Sequence, residues 1–460
     1  MHYFATTRSP NNIYNILVNS CKKDAEKKLD KSLTIFQMNL NKQIPSLRFI
    51  FYFLKIFLLG KIFFNKKFVN LKYRNCSIGR HSLSTAWRDK RSYLNFLTLF
   101  FYKIKYLIIS GSIIDSAYLN IDKIEAVYVD HGVYLNGLII QIFANNKKLI
   151  YQNVYPRGLH CQDCRKHNKK NILEFEDLLI LRKNEKKLSL KEKKVAENKI
   201  KEITTKPEII PWIKGVKFKK IKNIDFRNFT HIVYAHSFAD GQLAWGTDGF
   251  LNVREWLEFT LEILDKGNNR VYVKAHPNFK IRGYFNEACA MDIHIFSLIK
   301  KRFENSKKLF FEHDPVKNLD LLKSLDKKTI LISHHGSAIL EGAYKNFKNI
   351  SSKATFWEEK LKISNQWKTK KDYNAILKKS WHELEYANKD DLLKVCYLLY
   401  CNNFGHYGKK FWHNIISRNI NVSRSKLDKN ITKIIEKIND KKKIKLVKLL
   451  SQNIQQLNYI

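Results

Sequence analysis

His231-Ile-Val-Tyr-Ala235, Arg270-Val-Tyr-Val-Lys274 and Thr329-Ile-Leu-Ile-Ser333 are three short runs rich in β-branched and aromatic residues. Each is followed by a polar loop: His236-Ser237-Phe-Ala-Asp240-Gly241-Gln242, Ala275-His276-Pro277-Asn278, and His334-His335-Gly336-Ser337-Ala-Ile-Leu-Glu341-Gly342. Helical periodicity can then begin. Strands alternating with helices predict a parallel sheet with crossover helices, an α/β fold. Ligands of such sheets bind beyond the carboxyl ends of the strands, where these loops fall, and this points to a nucleotide-type ligand.

The loops carry fitting chemistry. Ser337 follows Gly336 directly after a strand and suits a helix N-cap, whose free backbone N–H groups attract phosphate. Glu341 lies four residues on, so it shares a helix face with Ser337 and could take the hydroxyls of a ribose. The plainer reading is that Ser337 only caps the helix and Glu341 only complements its dipole. Lys274 and His276 end the second strand, and Pro277 fixes the turn. A histidine there can donate to a pyrophosphate or act as an acid on a departing phosphate, though structural histidines also occupy such places. Ser237, Asp240 and Gln242 are the polar members of the first loop. Asp248 and Gly249 then precede a helix starting at Asn252, with Glu255 as its capping-box partner and Val253, Trp256, Leu257 and Leu264 as its buried face.

The first half of the chain holds a second such unit. Ile124–Val129 reads as a strand, Asp130-His131-Gly132 as its loop, a helix follows from about Asn136 to Asn145, and Lys148–Tyr151 is the next strand. Residues 1–110 are apolar and basic with helical periods. The expected division is an N-terminal Rossmann-like domain at 1–165 with a helical, membrane-associating start, and a Lys/Glu-rich helical connector at 166–227. A second Rossmann-like domain at 228–385 and a basic helical tail at 386–460 complete it. The connector reads as a solvated helix face, closed by Pro207 and Pro211-Trp212.

With 84 Lys+Arg against 42 Asp+Glu, the 460-residue chain carries a formal charge of +42. Nucleic acid and an anionic membrane surface are the candidate partners, and abundant Lys, Asn and Ile also fit drift in an AT-rich genome. No RNA-binding sheet signature or zinc-finger spacing accompanies the charge, so no specific nucleic acid is expected. Seven scattered cysteines and a polar Met1–Ser20 predict a reducing, cytoplasmic setting. The cluster His160-Cys161-Gln-Asp-Cys164-Arg-Lys-His167 lacks a second Cys-x-x-Cys and reads as loop; neither a metal nor any other cofactor is expected. Phe49–Phe64, FIFYFLKIFLLGKIFF, is too short and too interrupted by Lys55 and Lys61 to span a bilayer. It reads first as a buried helix of the first domain. The second reading is a helix in the membrane interface with its lysines reaching the headgroups.

Val273-Lys-Ala-His276-Pro277 and the later Gly336-Ser337-Ala-Ile-Leu-Glu341-Gly342-Ala resemble the nucleotide-binding half of capsule polysaccharide glycosyltransferases of the Kdo-transferring kind. The chain is more distantly similar to bacterial sialyltransferases and CDP-glycerol glycerophosphotransferases. The resemblance implies a GT-B-like fold: two facing Rossmann-like domains, with additional helices at both ends. It also implies that His276, Pro277 and Ser337 contact the donor phosphates, with Glu341 near the donor. Two departures touch the donor and the base: the acidic pair before Gly is represented by Ala239-Asp240-Gly241, and His334-His335 replace small residues.

The resulting expectation is a cytoplasmic glycosyltransferase of bacterial surface polysaccharide synthesis, peripheral at the inner face of the plasma membrane. Its partners would be a nucleotide-sugar donor (a CMP-sugar among the candidates) and a glycan or glycolipid acceptor. Lys274, His276, Pro277, Gly336, Ser337, Glu341, Ser237, Asp240 and Gln242 are the donor-side residues. GT-B enzymes take their base from the first domain, so Asp130 and His131 join His276 as catalytic candidates, against the reading of Asp130-His131-Gly132 as a plain turn. Arg157 is the candidate for gripping an anionic acceptor. A CDP-polyol phosphotransferase and a non-enzymatic basic membrane- or nucleic-acid-binding protein are the alternatives. Metal-dependent phosphoester hydrolysis, suggested by His131, His313, His334 and His335, lacks its Asp-x-His pair after the first strand.

Overall fold

Two mainly parallel sheets organise the chain, one in each of two units. The computed structural model describes residues 2–6, 12–37, 45–88, 96–129, 134–154, 158–166, 187–206, 218–220, 225–238, 243, 248–277, 286–353 and 361–401. The chain has a two-domain, Rossmann-like α/β fold.

The first sheet contains β1 (Tyr3–Thr6), β2 (Thr34–Gln37), β3 (Ile124–Val129), β4 (Leu149–Val154) and β5 (Gly158–Asp163). Its order is β2-β1-β3-β4-β5, parallel except for the antiparallel edge strand β5. The Cys161–Cys164 stretch therefore forms a strand and the turn after it, where a loop was expected. Strand β1 lies inside the sheet with Phe4 and Ala5 fully buried, although residues 1–110 read as helical. Helix α1 (Asn12–Leu29) packs Val18, Cys21 and Ala25 against Phe4, Tyr128 and Tyr151.

Between β2 and β3 lie α2 (Leu47–Leu58), α3 (Asn65–Phe68), α4 (Ile78–Arg88) and α5 (Phe96–Asn120). Phe49 on α2 can approach α5 because residue 111 is glycine; a Cβ there would lie 2.3 Å from the Phe49 ring. Among the described residues, α5 is the one helix long and apolar enough to cross a membrane, by length and composition alone. Its later half is buried in the unit, with Ser110 held 2.8 Å from Ser82. Helix α2 departs from the expected burial: only Phe49 and Ile56 are buried, while Phe51 and Leu58 are 70% and 83% exposed. Helix α6 (Leu135–Asn145) joins β3 to β4 and is buried from Gly137 to Ala144, as its continuous apolar run dictates.

The first described helix of the second unit is α7 (Leu190–Thr205), capped by a Ser189–Glu192 capping box. Its sheet contains β6 (His231–Tyr234), β7 (Val271–Lys274), β8 (Leu309–Glu312), β9 (Ile330–Ser333), β10 (Asn349–Ser352) and β11 (Asn365–Trp367). All neighbours are parallel in the order β11-β10-β9-β6-β7-β8. The chain runs outward from β6 to β8, returns to β9 on the other side of β6, and runs outward again. That is the 3-2-1-4-5-6 order of doubly wound sheets, and its switch point falls between β6 and β9.

Helices α8 (Val253–Lys266), α9 (Asn286–Arg302), α10 (Asn318–Ser324) and α11 (Ser337–Tyr344) make the crossovers, and α12 (Lys370–Leu377) and α13 (Lys389–Cys396) follow β11. The Asn252 side chain caps α8 by accepting from the Glu255 N–H, and Val253, Trp256, Leu257 and Leu264 are buried as the spacing predicts. This unit reaches beyond the 228–385 expected for it. Ala196 and Ile200 of α7, from the Lys/Glu-rich run, and Leu392, Leu393 and Cys396 of α13 form one core with Ile339 and Leu340 of α11. The charged run thus hides an apolar stripe that covers α11.

Candidate functional site

Three adjacent strands, β7, β6 and β9, deliver three histidines to one end of the second sheet. His236 follows β6 by two residues, His276 follows β7 by two, and His335 follows β9 by two. Neighbouring strands lie about 4.7–4.9 Å apart, so equal offsets set the rings side by side. The His236 ring centroid lies 3.9 Å from that of His335 and 5.4 Å from that of His276. This row straddles the switch point, where doubly wound sheets hold their ligands.

Packing beneath the row positions His335 and the loop that carries His236. His334 Nδ1 sits 2.8 Å from His335 Nδ1, and its ring stands edge-on to Trp256 and Trp367. The Ser333 hydroxyl donates to the His335 carbonyl at 3.1 Å. Burial, with His236 nearby, holds the His334 imidazole down to about 3 and that of His335 well below the usual range. Both rings are neutral at neutral pH and can offer hydrogen bonds without charge. Asp292 on α9 holds the loop after β6, accepting from the Ser237 hydroxyl at 2.6 Å and the Phe238 N–H at 2.7 Å. Ser237 is therefore buried against Asp292 and not on the ligand side.

The charged pair of the site is Lys274 and Glu341, both buried. Lys274 ends β7 with its ammonium 5.5 Å from the Tyr234 ring centre. Burial lowers it to about 8, against the opposing pull of Glu341. Burial raises Glu341 to about 7, against Asn318, Lys274 and the Ser337 hydroxyl, which favour its charged form. A chain of hydrogen bonds fixes this carboxyl: Tyr234 donates to Asn318 Oδ1 at 2.8 Å, and Asn318 Nδ2 donates to Glu341 at 2.9 Å. Ser337 and Glu341 do share a face of α11, as their spacing predicts. Glu341, however, faces protein groups rather than an open crevice.

The N-cap of α11 is Gly336 and not Ser337, and no side chain caps the helix. With φ 140 and ψ 164, Gly336 occupies a region open essentially to glycine alone. Ser337 becomes the first helical residue. The first N–H groups of a helix lack intrahelical partners, and here they begin three residues after β9. Neutral imidazoles, a buried ammonium and an uncapped helix N-terminus form a set of donors suited to phosphate oxygens.

The structure brings Lys274, His276, Gly336, Ser337 and Glu341 of the predicted set into one region and places Pro277 beside His276. Asp240 and Gln242, and in the first half Asp130, His131 and Arg157, lie outside the described residues. Asp248, with φ 38, accepts a hydrogen bond from Ser352 at the end of β10. Sequence reasoning missed Asp292 and Asn318, gave no site role to His236, and weighed His335 only for metal-dependent hydrolysis. The equal offset of His236, His276 and His335 from their strand ends was the available signal. Among the described residues no group of His, Cys, Asp and Glu is arranged to hold a metal.

No family model matches the chain, and no curated protein matches it. Among solved structures it is similar to Thermosulfurimonas dismutans KpsC, a beta Kdo 2,4 transferase, with 10% identity and a TM-score of 0.38 over 61% of this chain and 80% of that one. It is also similar to Methanocaldococcus jannaschii UDP-GlcNAc 2-epimerase in complex with UDP-GlcNAc and UDP, with 13% identity and a TM-score of 0.27 over 86% of this chain and 98% of that one. At these identities and scores neither likeness bears on the chemistry of this chain.

Proposed function

We propose that the chain is a glycosyltransferase that binds a nucleotide-activated sugar at the switch point of its second unit and passes the sugar to a glycan or glycolipid acceptor of surface polysaccharide synthesis. One observation carries this reading: His335, His236 and His276 stand in a row at the ends of β9, β6 and β7, with Lys274 two residues before His276 and the uncapped start of α11 after His335. Donor groups so arranged suit the phosphates of a nucleotide, and a CMP-sugar is one candidate.

In the transfer, the bond between the anomeric carbon and the phosphate oxygen breaks, and a bond to the acceptor oxygen forms. Charge grows on the leaving phosphate, where the α11 N–H groups, His276 and the Lys274 ammonium would stabilise it. The acceptor hydroxyl loses its proton to a base, for which Asp130 and His131 are the candidates because they directly follow β3 in the chain. In the first sheet the order β2-β1-β3 makes the end of β3 one side of that sheet's own switch point.

A thermal-shift screen of the full-length protein against nucleotides and nucleotide sugars tests the reading. A ligand that binds only the folded state raises the unfolding temperature. The expected result is a shift with one nucleotide class and a further shift with its sugar conjugate. No shift with any of them, at millimolar ligand, would contradict the proposal.

A further inference from the structure

The first unit carries an exposed apolar surface that its own core does not use. Helix α2 is anchored along one side only. Its N-cap Ser46 accepts from the Phe49 N–H at 3.2 Å and donates to Asp115 on α5, a buried carboxylate also bound by Tyr73 at 2.9 Å and Arg74 at 3.0 Å. Phe49 then packs edge-on against Tyr73, with ring centroids 5.2 Å apart. These contacts hold α2 as a fixed platform while Phe51, Leu54 and Leu58 face outward. That outward face is apolar apart from Arg48 and Lys55.

The surface continues past α2. Ring contacts run from Phe53 to Phe57 at 6.3 Å, to Phe63 at 5.8 Å, and to Phe100 at 5.4 Å. Phe64, Leu97 and Phe101 extend it, with Phe101 66% exposed. Soluble monomers rarely expose contiguous apolar patches of this kind.

Charge identifies what covers it. Residues 31–88 contain no Asp or Glu, and neither do residues 96–114. Arg48, Lys55, Lys61, Lys66 and Lys67 are exposed along the same elements, and the Lys67 ammonium lies 5.0 Å from the ring centre of exposed Phe64. Cations on long stems beside outward aromatic and leucine side chains match the boundary between acyl chains and anionic headgroups.

We infer that the outward face of α2, the turn after it and the start of α5 dock the first unit onto an anionic phospholipid bilayer. The apolar side chains enter the acyl boundary and the lysines meet the headgroup phosphates. A second copy of the chain would set these cations against their own images. The chain's residues 402–460, with thirteen Lys or Arg against three Asp or Glu, would repel them as well. Because the later half of α5 is part of the protein core, the mode is interfacial rather than spanning.

Sedimentation of the full-length protein with phosphatidylcholine vesicles, with and without phosphatidylserine, tests this, alongside the variants F51S/L58S and K66E/K67E. All four side chains are exposed, so both variants should keep the wild-type near-UV circular dichroism. The wild type is expected to bind phosphatidylserine vesicles in a salt-weakened manner, and each variant to bind at least about tenfold less. Light scattering should show one oligomeric state throughout. Equal vesicle binding by wild type and variants overturns the inference. So does loss of a dimer in F51S/L58S without any vesicle binding by the wild type.

Discussion

At the scale of single residues, the site is a set of groups whose protonation is set by burial. Burial holds Lys274 at about 8, so its ammonium is present below that pH and is lost above it. Nucleotide affinity should therefore fall as pH rises through about 8, and Lys274→Gln should flatten that part of the profile in calorimetric titrations. Gly336 makes a second prediction. A Cβ there would have room, since the nearest atom it would meet, Ser333 Oγ, is 3.9 Å away, but φ 140 would strain any other residue. Gly336→Ala should cost about 1–3 kcal/mol in urea unfolding and weaken nucleotide binding by moving the start of α11. The places of His276 and Ser337 were legible in the sequence because they lie two and four residues after the end of a strand-like run. Asp292 and Asn318 were not, because their partners Ser237 and Tyr234 lie 55 and 84 residues away in the chain.

At the scale of elements, strands with β-branched runs were readable nearly to the residue. Ile124–Val129 is a strand over its predicted length, and the runs at 231, 271 and 330 differ from expectation by a residue at their ends. Strands β1 and β10 escaped because their residues, Tyr-Phe-Ala-Thr and Asn-Ile-Ser-Ser, have little alternation; sheet neighbours on both sides bury them. Helix α2 was misjudged because composition cannot tell a helix buried in protein from one covered by something else. Helix α5 supplies a test of packing behind that surface. Lys103 is buried, with its ammonium 3.0 Å from Asn65 Oδ1 and 4.9 Å from the centre of the Phe68 ring, and burial lowers it to about 8 from 10.5. Between those values the unfolded chain holds the proton that the folded chain has released, so stability should rise with pH across the window. Urea unfolding at pH 7.5 and 10 should show that rise in the wild type and a smaller one in Lys103→Met.

At the scale of the whole molecule, alternation of strands and helices foretold two α/β units, but the order of strands within each sheet was not legible. Order is set by which crossovers pack, as when Ala196 and Ile200 of a Lys-rich helix close over Ile339 and Leu340. That order matters most for function, because it puts the ends of β6 and β9 together at a switch point. If the two units divide the labour of transfer, Asp130→Asn or His131→Ala should bind the nucleotide sugar normally while turnover falls about 10²–10⁴-fold. In the proposed function, the second unit holds a nucleotide between its histidine row and the start of α11. Calorimetric titration of CMP, CDP, UDP and GDP into the wild type, His276→Ala and Ser337→Ala decides whether it does. The expected result is one site per chain for at least one of these nucleotides, weakened by about 1.5–3 kcal/mol in each variant with the unfolding temperature unchanged. Binding of equal strength in all three proteins, or no binding of any nucleotide to the wild type, would contradict it.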